Sequence, residues 1–346
     1  MARTASELDI ENTEALLAYL RATGRLGPGD DAICTPLGGG VSNRTVRVEQ
    51  TGRFAWVLKQ ALPKLRVKED WFSDPARIHR EALGLAWLGR LAPAGSVPAL
   101  VFEDHEQFLL GMEAVPMPHE NWKAQLLRGV VVPTVVEQFG ALLGRVHEES
   151  RLRRQELKPL FGDRSFFETL RLEPYYRFVV RRSPSLAPFL EDLIAETLAV
   201  QVSLVHGDYS PKNVLVRDDR IVLLDHEVIH FGDPAFDLGF AMAHLLSKAL
   251  HVTGARAALL QAGWQFWQAY ETAAPVVCEA PGLRGRAVRH AVACLLARVD
   301  GRSPLEYFSA AEQEWQRTAA RALAAKPPAD VPCLVEAWSE CLSTTD

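Results

Sequence analysis

The chain has 346 residues, 48% of them hydrophobic, and its 38 Lys and Arg against 43 Asp and Glu leave a formal net charge of −5. That length supplies more core than one undivided unit holds, and the near balance of charge excludes the basic surplus with which proteins hold nucleic acid or an anionic membrane. Five cysteines, Cys34, Cys278, Cys294, Cys333 and Cys341, are odd in number, scattered and without C-x-x-C spacing, so reduced thiols are expected rather than a disulfide frame. The first twenty residues, MARTASELDIENTEALLAYL, contain no charged region leading into an apolar stretch, and no later apolar run reaches membrane-spanning length. A cytoplasmic protein with no membrane or nucleic-acid partner is expected.

In chain order, residues 14–23 (EALLAYLRAT) set Leu16, Leu17 and Leu20 at helical spacing, which predicts a short amphipathic helix. From Ile33 to Lys59 the pattern becomes strand-like: ICTPL, a turn at Gly38-Gly39-Gly40, then NRTVRVEQ and RFAWVLKQ separated by Thr51-Gly52. Residues 76–91 (ARIHREALGLAWLGRL) return to helical spacing at Ile78, Leu83, Leu85 and Leu88, and VPALVFE and FLLGME then read as two further strands. After Glu113 the chain is mostly helical, interrupted at 204–225 by the apolar runs LVHGD and IVLLD flanking VLV, and the two tryptophans of QAGWQFWQAY (261–270), Trp264 and Trp267, lie at helical spacing and are expected in the core. The expected class is therefore α+β, a small five-stranded lobe with one inserted helix over residues 1–112 and a larger helical lobe over 113–346.

The segment 203–239, SLVHGDYSPKNVLVRDDRIVLLDHEVIHFGDPAFDLG, concentrates the groups that carry chemistry. Asp208 is followed five residues later by Asn213, and Asp225 closes an apolar strand. Phosphoryl transfer needs an acceptor for the attacking hydroxyl's proton and oxygen ligands that hold magnesium across the phosphates. A loop carrying a carboxylate and an amide, followed by a strand ending in a second carboxylate, meets both needs: Asp208 to take the proton, Asn213 and Asp225 to hold the metal. In the first lobe, Gly38, Gly39 and Gly40 would let backbone amides approach phosphates. Lys59, ending the third strand, would meet the α- and β-phosphates, fixed by an ion pair with Glu81 in the following helix.

HGDYSPKN with LLDHE and GDPAFDLG resembles the superfamily of aminoglycoside phosphotransferases, choline kinases and methylthioribose kinases. The resemblance implies a protein-kinase-like two-lobed fold, ATP and Mg2+ as cofactors, and a small-molecule hydroxyl as acceptor, handled by a monomer or homodimer. Ser210 stands where eukaryotic protein kinases have a lysine, which favours a small acceptor over a protein. Asp237 resembles a carboxylate that braces the catalytic loop, and FLLGMEAV resembles the hinge, whose backbone near Glu113 and Val115 would receive adenine. LKQALPKLRV, RIHREAL and the D-x-E of Asp225-His226-Glu227 look like methylthioribose kinases, which adds Glu227 to the metal ligands; QLLRGVVVP and ETLRLEPYY are similar more loosely. The catalytic loop departs from that subfamily, which typically has a second histidine and a glycine within it.

Two other functions share these residues. His226-Glu227-Val228-Ile229-His230 satisfies H-E-x-x-H, but a zinc peptidase needs that motif on a helix, whereas IVLLD before it and Phe231-Gly232-Asp233-Pro234 after it predict extended chain and a turn. Antibiotic modification would use the same catalytic residues with a different acceptor pocket. Candidates for that pocket are Arg298, Asp300 and Arg302 in ARVDGRSPLEYF, with Trp71 and Trp122 as further lining residues. Residues 241–346 hold ten Lys and Arg against ten Asp and Glu, which is not an acidic trap for a polycation and favours a neutral sugar or nucleoside.

Overall fold

The computed structural model describes residues 8–38, 40–66 and 70–343. The chain divides into two compact units: residues to Gly89 with Pro98–Pro116, and Arg90–Val97 with Met117 onward.

The first unit is built on an antiparallel sheet of β1 (Ile33–Pro36), β2 (Asn43–Gln50), β3 (Phe54–Ala61), β4 (Leu100–Asp104) and β5 (Leu109–Glu113), in the order β1-β2-β3-β5-β4. Strand alternation decides which side chains reach which face. Val46, Val48, Leu58 and Leu109 face one way and pack under Leu16 and Leu20 of α1 (Thr13–Ala22), whose amino terminus is capped by the Asn12 side chain accepting from Ala15 N at 3.0 Å. Ala61, Leu110 and Met112 face the other way, against Ile78, Ala82 and Leu85 of α2 (Arg77–Leu91). Lys59, adjacent to Leu58, is thereby turned toward α2. Leu83, expected on the core face of that helix, is only half-buried; the buried track runs instead through Ile78, Glu81, Ala82 and Leu85.

The second unit is mainly helical, and among the described residues of the chain no helix is long and apolar enough to cross a membrane. It contains α3 (Trp122–Leu127), α4 (Pro133–Leu152), α5 (Ala235–His251), α6 (Arg256–Ala273), α7 (Leu283–Asp300) and α8 (Ala310–Ala325) among its helices. The chain of α4 approaches α6 so closely that a Cβ at Gly140 would lie 2.3 Å from the Phe266 carbonyl oxygen and one at Gly144 2.7 Å from that of Tyr270. Short strands interrupt the helices: β6 (Glu120–Asn121), β7 (Ser203–Val205), β8 (Val214–Arg217), β9 (Arg220–Leu223) and β10 (His230–Gly232), with β7 pairing β10 and β8 lying between β6 and β9. Trp122 is fully buried against Phe139, and of the two tryptophans expected in the core at helical spacing Trp267 is buried while Trp264 is exposed.

Candidate active site

The His206–Asn213 loop is held in place by contacts within the chain. Leaving β7, the chain turns at Gly207 with φ 78°, and a Cβ there would meet Val228 Cγ1 at 2.7 Å, so only glycine fits. Asp237, near the start of α5 and fully buried, accepts from the amides of His206 (2.6 Å) and Gly207 (2.8 Å), and lies 3.3 Å from His147 Nε2. Burial alone would raise the Asp237 pKa; the His147 hydrogen bond and the Gly207 amide are among the contacts that outweigh it and hold the carboxyl below its usual range. His206 Nδ1 accepts from the Asp208 amide at 3.1 Å, while Nε2 donates to the Leu224 carbonyl at 3.1 Å. That is a neutral imidazole, in keeping with burial pulling its pKa down.

The hairpin β8–β9 then sets Asn213 and Asp225. Its two-residue turn, Asp218-Asp219, has φ 49° and 56°, the left-handed pair that matches strand twist in a tight hairpin, and the residues are ones that tolerate it. With that turn the register is fixed, Val214 opposite Leu223, and Leu224 N donates to Asn213 O at 2.8 Å. Asn213 and Asp225 therefore leave the same end of one hairpin. Asp225 has φ 68°, an uncommon conformation for a carboxylate residue and one that concentrates at functional sites. Asn213 Nδ2 donates to Asp208 O (2.9 Å) and Oδ2 (2.7 Å), so the amide both clamps Asp208 and leaves its own oxygen for a metal.

Arg171 is the residue that sequence reasoning missed. It lies in a π-helical segment, Glu168–Arg177, where Pro174 removes a helical N–H and the wider i→i+5 pattern accommodates it. Its guanidinium is 3.0 Å from Asp208 Oδ1, and its Nε donates to Gly207 O at 2.6 Å. Burial would lower its pKa, but Asp208 first, then Tyr175, Glu227 and Asp225 hold it above its usual value. The only signal in the sequence was a lone arginine in ETLRLEPYY, a segment whose resemblance suggested no role for it.

In the first unit, Lys59 Nζ meets both oxygens of Glu81 at 2.7 and 2.8 Å, and both residues are buried. Gly40 would bring a Cβ no nearer than 3.7 Å to another atom, and Gly38 would bring one within 4 Å of nothing. Gly39 lies outside the described residues. Val115 is buried and Glu113 exposed, with the Glu113 amide donating to Ala99 O at 2.9 Å.

The H-E-x-x-H segment forms no helix: residues 226–229 make an irregular turn and His230 begins β10, its Nδ1 3.0 Å from Val228 O. The two histidines thus lack the shared helical face a zinc peptidase requires. Arg298, Asp300 and Arg302 do not converge either. Arg298 donates to Tyr175 Oη (3.1 Å) and Ser303 Oγ (3.0 Å), buried Asp300 is paired with Arg317 at 3.0 Å, and Arg302 lies over the Phe178 ring at 5.2 Å.

The sequence model of the phosphotransferase enzyme family matches residues 33–276, which spans both the Lys59–Glu81 pair and the β8–β9 hairpin. The chain belongs to that family. Among curated relatives of this phosphotransferase, methylthioribose kinase of Pectobacterium atrosepticum is 25% identical over 61% of this chain and 58% of its own. Methylthioribose kinase 2 of Oryza sativa subsp. japonica is 24% identical over 67% and 61%. The phosphotransferase thus spans about three fifths of the length of the curated relatives it matches. Solved structures share its fold: amicoumacin kinase hAmiN in complex with AMP-PNP, Ca2+ and Ami has a TM-score of 0.58 at 14% identity, covering 92% of this chain and 94% of that one. A choline/ethanolamine kinase family protein from Mesorhizobium loti has a TM-score of 0.53 at 16% identity, covering 95% and 99%. The fold is accordingly α+β and protein-kinase-like.

Proposed function

We propose that this phosphotransferase is an ATP- and magnesium-dependent kinase that phosphorylates a hydroxyl of a small, sugar-like molecule in the cytoplasm. The observation that carries this reading is Asp208, gripped by Arg171 on one oxygen and Asn213 on the other, on a loop whose amides are capped by Asp237. So held, Asp208 presents a fixed carboxylate to the acceptor hydroxyl, orients it and accepts its proton as the O–P bond forms. Asn213 Oδ1, the Asp225 carboxylate and the Glu227 carboxylate are hard oxygen donors suited to magnesium. When bound there, the metal would neutralise phosphate charge during transfer.

The first unit would act as the nucleotide clamp. Lys59, fixed by Glu81, would meet the α- and β-phosphates, the glycines 38–40 would leave backbone amides open to them, and backbone near Glu113 and Val115 would receive adenine. The methylthioribose kinases among the relatives support a sugar hydroxyl as acceptor. The test is ADP formation by the purified chain with ATP and magnesium against sugars, methylthioribose, nucleosides and aminoglycosides. One of the sugar-like acceptors is expected to stimulate it, and Asp208→Asn to lower turnover by about 10²–10⁴-fold. Stimulation by no acceptor, or a variant retaining more than about a tenth of the rate, would sink the proposal.

A further inference from the structure

Linked to Asp208 through Arg171 and Tyr175, the second unit gathers cations with few carboxylates to match them. Lys248, in α5, is 1% exposed, and among the described residues its ammonium hydrogen-bonds only to the His244 carbonyl at 3.2 Å, an oxygen of its own helix. Its ammonium lies 5.6 Å from the Tyr307 ring centroid, and Lys123 approaches the same ring at 5.7 Å. Among the described residues, Arg298 Nε is buried with no acceptor, and the buried Tyr307 hydroxyl likewise has no partner. Two carboxylates border the group, and both are already engaged: Glu306 pairs with Lys123, and Glu312, which acts on Tyr307, pairs with His251 at 2.7 Å. Tyr175 ties the group to the catalytic loop: Arg298 donates to its hydroxyl at 3.1 Å, and the Arg171 guanidinium that grips Asp208 lies 5.7 Å from its ring.

Leaving an ammonium in a protein interior without a counter-charge costs stability. Burial, then the charges of Lys123 and Arg298, draws the Lys248 pKa down to about 7, with Glu306 opposing. His244, behind it, is drawn well below its usual value by burial and by Arg298, Lys248, Lys123 and Lys212. A lysine retained only for packing would be paired, as Lys59 is with Glu81, or replaced by a hydrocarbon. Unsatisfied donors brought together from α5, α7 and the loop before α8, and linked to Asp208 through Tyr175 and Arg171, describe a receptor for an anion.

We propose that the acceptor of this kinase carries an anionic group, a carboxylate or a phosphate, seated among Lys248, Arg298 and the Tyr307 hydroxyl while its hydroxyl is presented to Asp208. This rests on the kinase reading above and narrows its acceptor class: a sugar acid or sugar phosphate is taken in preference to a neutral sugar, and a polycationic aminoglycoside is repelled.

The test is calorimetric binding to the full chain, in magnesium and a non-hydrolysable ATP analogue, of ribose and glucose, their aldonates, and their terminal phosphate esters. A charged probe is expected to bind about 100-fold tighter than its neutral parent, the aldonate if the site takes a carboxylate and the ester if it takes a phosphate. Lys248→Met is expected to remove most of that ratio, and Arg298→Gln, at the half-exposed edge, gives an independent reading should the first variant fold poorly. Equal binding of charged and neutral probes overturns the proposal, as does a ratio that survives both substitutions. A parallel loss of affinity for the ATP analogue would assign these cations to nucleotide phosphate and also overturn it. Turnover separates the two readings: a charged probe that binds selectively while no acceptor yields ADP removes the kinase activity and leaves the anion site standing, whereas ADP formation with a preferred neutral sugar does the reverse.

Discussion

Two buried lysines show opposite solutions to one problem. Lys59, on β3, is 8% exposed and has both oxygens of Glu81 within 2.8 Å. Lys248, on α5, is 1% exposed, and among the described residues no carboxylate lies within ion-pair distance of it; Tyr307, Arg298 and a backbone oxygen surround it instead. The first charge is compensated inside the fold, so its position is fixed whether or not a ligand is bound. The second is compensated only when something negative arrives. The difference separates a cation that belongs to permanent machinery from one whose partner is missing from the chain.

Removing a partner tests that contrast most sharply. Glu81→Ala strands a buried ammonium and is expected to lower unfolding free energy by about 3–5 kcal/mol in urea denaturation. A loss below about 1 kcal/mol, the usual worth of an exposed pair, would mean that Lys59 is compensated by something else. In a double-mutant cycle, Lys59→Ala and Glu81→Ala are expected to couple by about 0.5–3 kcal/mol. Strict additivity would dissolve the pair.

Alkaline titration is the next discriminator. The folded pKa of Lys248, about 7, lies below its unfolded value. Above pH 7 the unfolded chain therefore holds a proton that the folded chain has released, and stability rises with pH by up to roughly 1.4 kcal/mol per unit until the unfolded lysine also titrates. The wild-type chain should show that rise relative to Lys248→Met; identical pH profiles would place Lys248 in a wetter environment. At the acid end, His206, His244 and His290 all have pKa values drawn below their usual range by burial. The unfolded chain takes up protons first, so stability should fall as pH drops below about 6.5. The smallest effect expected is Lys248→Met at neutral pH, a gain of about 1 kcal/mol from exchanging an uncompensated charge for hydrocarbon. A substantial loss would show that the ammonium is satisfied within the fold.

Much of the frame was legible because it repeats locally. Period-two alternation in NRTVRVEQ and RFAWVLKQ gave the strands and implied that Lys59 and Leu58 face opposite ways; His206 to Asn213 lies within one loop, and Asp225 is fixed to it by a hairpin of set length. Where helical faces mattered, reading was poorer: Leu83 was placed in the core and Trp264 with it, because a face several residues wide has edges that only packing defines. Asp300 had the look of a ligand-binding carboxylate, yet its partner is Arg317 on the next helix.

By itself the sequence placed Asp208, Asn213 and Asp225 about one loop and hairpin and paired Lys59 with Glu81, since each relation depends on residue type at short, fixed separations or on one strand and one helix. The tertiary structure alone decided what surrounds Asp208 on the acceptor side. Arg171, Lys248 and the pair Arg298 and Tyr307 come from three distant stretches of chain, and only that pair, within ARVDGRSPLEYF, is close in sequence. Lys248 was a lone cation in the buried run Ala235–Leu250, and whether such a charge meets a carboxylate, water or a waiting anion site depends on which helices are packed around it. Desolvation and charge pairing are fixed by distances across the fold, and those exist only once the chain has folded.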